Sequence, residues 1–205
     1  GMALKGDTLF VSDIDSVRAF HRTTGQPLGA RGVPSPDFLN DLAVGEDGTL
    51  YVTDTGVNAS FEPTGNAAIY RFGPDGQAQA VARGDSLAAP NGISIRGGRM
   101  WVAPFGAATV RRLDLGGEGG AGGAGQVVAT LPGGQLDGIE VQPDDGFFVS
   151  SWETSTVYHV TASGEVHEII TGVPSPADIG YDARRNRILI PVFMENRLEF
   201  HPLPY

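Results

Sequence analysis

A chain of 205 residues, 40% hydrophobic and without cysteine, is long enough to bury a core unaided, and disulfides, thiolate catalysis and cysteine-bound metal are excluded. Twenty-four acidic side chains against 14 basic give a formal net charge of −10, which repels phosphate backbones and anionic lipid and attracts cations. Nucleic acid and membrane are therefore poor partners. No apolar run approaches the roughly 18 residues of a membrane span, and no signal peptide is expected at the opening, where Gly1-Met2 reads as a tag remnant ahead of a start methionine.

Thirty glycines and 14 prolines make about a fifth of the chain, against roughly an eighth on average, and point to short strands joined by tight turns. In chain order, the first unit carries predicted strands at 1–4, 8–13 and 16–20, and the second at 40–44, 49–54 and 68–72. The third has 91–95, 100–103 and 109–113, the fourth 137–141, 147–151, 156–160 and 166–170, and the fifth 177–181, 188–191 and 197–200. Each unit opens on a small or polar pair before an aliphatic strand: Asn40-Asp41, Asn91-Gly92, Asp137-Gly138 and Ala177-Asp178. The second residues of these pairs are spaced by 51, 46 and 40, near the period of four-stranded propeller blades. No stretch shows a sustained helical period.

The expected fold is one all-β domain over 1–205, a β-propeller with five recognisable four-stranded units at about 1–40, 41–91, 92–137, 138–177 and 178–205. The last unit has only 28 residues and no fourth strand. Either the chain is a five-bladed ring closed unconventionally or it is a six-bladed ring truncated at its N-terminus; the second is the expectation, with self-association through the unpaired blade edge.

In a blade the innermost strand starts at one face and the next strand returns to it. Asn40, Asn91, Asp137 and Ala177-Asp178, with Asp13, Asp54, Pro104-Phe105, Ser151-Trp152-Glu153 and Met194-Glu195, are thereby placed around one mouth of the channel. Amide and carboxylate oxygens converging on an axis suit a hard divalent cation, Ca²⁺ above Mg²⁺, Mn²⁺ or Zn²⁺. Taken singly, Asn-Asp, Asn-Gly and Asp-Gly are turn dipeptides, Asp13 and Asp54 close turns, and Trp152 is a packing residue or aromatic lid. Recurrence at equivalent positions is what raises them above that reading. Gly117-x-Gly119-x-x-Gly122 formally matches a dinucleotide fingerprint, but lacks the flanking strand and helix and is expected to be a loop. No G-x-S-x-G marks a serine hydrolase, and His21, His159, His167 and His201 fall on outer strands.

Asn40-Asp41-Leu42 through Asp47-Gly48-Thr49-Leu50-Tyr51-Val52-Thr53-Asp54, then Pro90-Asn91-Gly92-Ile93 and Leu136-Asp137-Gly138-Ile139, resemble the senescence marker protein/gluconolactonase/luciferin-regenerating-enzyme family. The resemblance implies a six-bladed propeller with a divalent metal in its channel, many members being sugar lactonases. It implies Asn91 and Asp137 as metal ligands, Asp137 also as general base, and Asn40 at metal-bound water or substrate. Two departures stand out. The family's remaining ligand, a glutamate of the first blade, has no counterpart in the five units, and the arginine that grips sugar acids in some members is Phe38 here. The expected function is a metal-dependent hydrolase opening a small, sugar-like lactone or ester, with Asn40, Asp54, Trp152 and Glu195 contacting substrate. The alternative is a non-catalytic propeller that binds a ligand or protein, favoured by Phe38, Pro104-Phe105 and Phe193-Met194 near the mouth.

Overall fold

β-Branched and aromatic runs favour the extended backbone, and Gly-containing turns close the gaps between them. The computed structural model describes residues 1–115 and 125–204. Positions 116–124, which hold the expected glycine loop and its formal fingerprint, lie outside the described residues.

Blade 1 consists of β1 (Met2–Lys5), β2 (Thr8–Asp13), β3 (Ser16–His21) and β4 (Pro27–Gly32). Blade 2 is β5 (Leu39–Val44), β6 (Leu50–Asp54), β7 (Ala68–Phe72) and β8 (Ala78–Arg83). Blade 3 is β9 (Pro90–Arg96), β10 (Arg99–Pro104), β11 (Thr109–Asp114) and β12 (Gln126–Thr130). Blade 4 is β13 (Leu136–Val141), β14 (Phe147–Ser151), β15 (Thr156–Val160) and β16 (Val166–Thr171). Blade 5 has three strands, β17 (Gly180–Asp182), β18 (Arg187–Val192) and β19 (Arg197–Pro202). Every sheet is an antiparallel meander in sequence order. The molecule is an all-β, five-bladed propeller, and no helix among the described residues is long and apolar enough to cross a membrane.

The apolar runs of the second strands follow from their position. In blades 2 to 4 each is sandwiched between two neighbouring blades, so both faces need apolar side chains. On β6, Leu50 and Val52 pack towards blade 1 with Phe10 and Val17, while Tyr51 joins Met100, Val102 and Ile93 towards blade 3. On β10, Trp101 turns the other way and packs with Phe147, Val149 and Tyr158 of blade 4. Phe148 in turn joins Ile179, Ile188 and Ile190 of blade 5.

Four apolar clusters thus join five blades, and among the described residues none joins blade 5 to blade 1. The strands flanking that seam show it. Ile188, Ile190 and Val192 of β18 are buried, while Arg187, Leu189 and Pro191 on the opposite face are only half-buried. A cavity of about 500 Å³ runs along the inner strands and reaches this seam, lined in part by Met2, Leu4, Leu189 and Leu198.

Candidate functional site

Asn40, Asn91 and Asp137 are each the second residue of an innermost strand, β5, β9 and β13. At each of these strand starts the pairing with the second strand breaks register, between Leu39 and Leu42, between Pro90 and Gly92, and between Leu136 and Ile139. Such irregularities release a residue from the ladder and re-aim its side chain. The strands also run unusually close here: a Cβ on Gly92 would sit 2.0 Å from the Asp137 carbonyl oxygen, and one on Gly138 would sit 2.1 Å from the Ile179 nitrogen. Only glycine follows the site residue where the next blade presses this near.

In three of the blades a hydroxyl near the end of the second strand ties it to the next blade's strand start. Thr53 Oγ1 accepts the Asp41 N–H at 2.9 Å and donates to the Asn91 carbonyl at 2.7 Å. Ser150 Oγ repeats this, accepting the Gly138 N–H and donating to the Ala177 carbonyl, both at 2.9 Å. Ser12 Oγ donates to the Asn40 carbonyl. Blade 3 has Ala103 at the corresponding place, so the Asp137 backbone is held without such a bridge.

Asn91 is buried, its Nδ2 reaching the Leu136 carbonyl at 3.5 Å, and its Oδ1 has no hydrogen-bond partner. An orphaned buried acceptor costs about 1–3 kcal/mol, so this oxygen calls for a donor or a cation. Asp137 beside it is buried, and its carboxyl is raised to about 7, chiefly by desolvation and further by the charge of Asp178. The indole N–H of Trp152 and the Asn91 amide face the carboxylate and draw it part of the way back. The indole contact falls short of good hydrogen-bond geometry, and Trp152 Nε1 is otherwise buried without a partner. Among the described residues the chain's own groups therefore offer an unpartnered amide oxygen and a carboxylate with no ion-pair partner, the N-terminal ammonium acting on it only through space. This donor chemistry fits a hard divalent cation that keeps several waters. Among the described residues no cluster of three or more His, Asp or Glu is arranged to hold a metal.

The remaining expected residues are placed differently. Asn40 donates through Nδ2 to Thr55 Oγ1 at 3.1 Å, and Thr55 donates to the Pro90 carbonyl at 3.0 Å, which ties Asn40 to the strand bearing Asn91. Trp152 is beside Asp137, as above. Asp54, expected at the substrate, is fully buried. Its oxygens accept the Asp37, Phe38 and Gly56 backbone N–H groups at 3.1, 2.9 and 3.1 Å, so it holds the loop carrying Phe38. Glu195 is exposed on the turn Phe193–Glu195 and pairs with Arg197.

Three carboxylates line the channel cavity below the mouth: Asp178, which was expected at the mouth itself, and Asp41 and Glu140, which were not expected at the site. Asp41 accepts the Leu42 N–H at 2.6 Å and the Ile93 N–H at 2.8 Å, stitching blade 2 to blade 3. Desolvation raises all three, Glu140 to about 7, and Asp178 adds repulsion to both others. The only signal for Glu140 in the sequence is a lone carboxylate between the aliphatic Ile139 and Val141 of β13.

Fold and donor set together define a propeller with an oxygen-bearing site at one mouth of its channel. Residues 6–184 match the SMP-30/gluconolactonase/LRE-like region, and the chain belongs to that family. Among solved structures, a gluconolactonase from Xanthomonas campestris superposes with a TM-score of 0.80 at 21% identity, over 100% of this chain and 71% of its own. The calcium-binding protein regucalcin from Agrobacterium tumefaciens gives 0.74 at 16%, over 98% and 77%. Virginiamycin B lyase from Staphylococcus aureus gives 0.67 at 15%, over 100% and 70%. At these identities the likeness is one of fold, which serves more than one chemistry. No curated protein matches the sequence.

Proposed function

We propose that this chain is a hydrolase of the lactonase type, opening a small neutral lactone or ester at the channel mouth. The observation that carries the reading is the unpartnered Asn91 Oδ1 beside an Asp137 carboxyl raised to about 7. Family membership supports it. Asn91 and Asp137 would hold a divalent cation, calcium first and magnesium, manganese or zinc as alternatives. A cation there supplies Lewis acidity towards the substrate carbonyl.

Asp137 would serve as the general base, being the carboxylate beside Asn91 that faces the channel mouth. It accepts a proton from the attacking water as the new C–O bond forms. It returns that proton to the ring oxygen as the acyl C–O bond breaks, leaving a hydroxy acid. Trp152 keeps the carboxylate in place and Asn40, anchored by Thr55, positions substrate or water. Phe38, where an anion-binding arginine would serve a sugar acid, favours a neutral substrate.

The test is a pH-stat screen of lactones and aryl esters on protein loaded in turn with Ca²⁺, Mg²⁺, Mn²⁺ and Zn²⁺. Opening of at least one lactone in a metal-dependent manner is expected. No turnover with any ion would leave the non-catalytic binding propeller as the better reading.

We also infer that the seam between blades 5 and 1 takes up another sheet, as in the expected six-bladed ring, or a second copy of the chain. Met2 and Leu4 on one side are 64% and 56% exposed, and Leu198 and Phe200 on the other are each 49% exposed. Sedimentation velocity across a hundredfold concentration range reads the second case, and a strictly monomeric profile would remove it.

A further inference from the structure

The residue directly after the second strand stands at the same mouth in every blade. In order these are Ile14, Thr55, Phe105, Trp152 and Phe193. Four of the five are apolar and none is charged. The last three form a continuous row. The Phe105 and Trp152 rings meet edge to face with centroids 5.7 Å apart, and Trp152 and Phe193 lie 5.4 Å apart at 40°. Trp152, the middle member, points its N–H at Asp137, so the row passes the proposed reacting carboxylate at its centre. It ends in solvent: Phe193 is 64% exposed, and Met194 next to it 70%. Across the mouth, Phe38 and Phe61 form a second ring pair 5.9 Å apart, with the Phe38 loop held by the buried Asp54.

Single exposed apolar residues need no explanation, but a contiguous row leading out from a polar reactive pair is a binding surface. A polyol would need donors and acceptors along it, and a sugar acid would need a cation. The row offers neither. It offers flat, rigid apolar area at low entropic cost.

We propose that Phe105, Trp152 and Phe193 form a subsite for an alkyl or aryl substituent, so that the substrate class is an apolar-substituted neutral lactone. The inference deepens the lactonase reading and rests on it for the reaction, though not for the binding surface. The carbonyl lies at Asn91 and Asp137, and the substituent runs over Trp152 towards Phe193 and Met194. Phe193 is then the specificity-determining residue, since it contacts the substituent and no reacting atom.

The experiment uses γ-lactones that differ only in side-chain length, from γ-butyrolactone to γ-decalactone, with glucono-δ-lactone as the polyol. In parallel, 2-alkylcyclopentanones serve as non-hydrolysable ligands, read by quenching of tryptophan fluorescence. Full burial of a methylene is worth about fourfold in affinity. With the half-open row we expect kcat/KM to rise roughly 30-fold from γ-butyrolactone to γ-octalactone, and ketone affinity to rise in parallel. Phe193→Ala should cut the gain to about threefold, and Phe193→Leu should restore most of it. A preference for glucono-δ-lactone, or an equal chain-length gain in Phe193→Ala, would overturn the subsite. If no lactone is opened but the ketones show the same length and Phe193 dependence, the hydrolase reading fails and the apolar subsite stands. If lactones are opened without such dependence, the reverse holds.

Discussion

Asp137→Asn should lower kcat/KM for the best lactone by about 10³-fold or more, with the protein still folded. Asparagine keeps the shape and one acceptor oxygen but cannot take a proton, and general-base assistance is worth about 10²–10⁴ in rate. It also removes the only full negative charge in the Asn91–Asp137 pair, so cation affinity should fall with it. The two losses separate kinetically. Saturating metal recovers the binding component and leaves kcat depressed. The fold should tolerate the change, because Asp137 is buried and desolvation already penalises its charged form. A variant with unchanged kcat at saturating metal and an unchanged melting temperature would remove Asp137 from the chemistry.

Glu140→Gln should stabilise the protein by about 1–2 kcal/mol at pH 8 and by almost nothing at pH 4. Glu140 lines the channel, where desolvation and the nearby Asp178 raise its carboxyl to about 7 and the Tyr181 N–H only partly offsets them. Its folded-state pKa lies above the unfolded value near 4.3. The folded state therefore holds the proton more tightly, and Glu140 favours folding fully below about pH 4. That contribution is lost as pH rises through about 7, where the carboxylate must be charged inside the channel. Glutamine never charges and can still accept from Tyr181 through its amide oxygen. Urea unfolding of both proteins at pH 4, 6 and 8 checks this. A variant less stable than wild type at pH 8 would mean that the channel carboxylate is held by a cation or donor.

The architecture was legible because it rests on local pattern. Alternating neighbours such as Leu50, Tyr51 and Val52 serve two interfaces at once, and that demand writes an unbroken apolar run into the second strands of blades 2 to 4. The recurrence of Asn40, Asn91 and Asp137 at blade starts was legible for the same reason. What the spacing could not carry was depth. Asp54 ends a strand at the mouth just as Asp13 does, yet the 37–38 backbone folds over it and takes its oxygens as acceptors. Asp13 instead pairs with Arg18 in solvent. The polar ends of the second strands were visible in Ser12, Thr53 and Ser150. Their work, each holding the carbonyl of the next blade's strand start, depends on a close approach between blades that no single strand reveals. Nor does alternation show a register break, which is what aims Asn91 and Asp137.

The most direct measurement is anomalous diffraction from crystals soaked in Mn²⁺. A peak within coordination distance of Asn91 Oδ1 and an Asp137 carboxylate oxygen, displaced by excess Ca²⁺, is the predicted result. Mn²⁺ found only among Asp41, Glu140 and Asp178, or no bound ion at millimolar concentration, would contradict it.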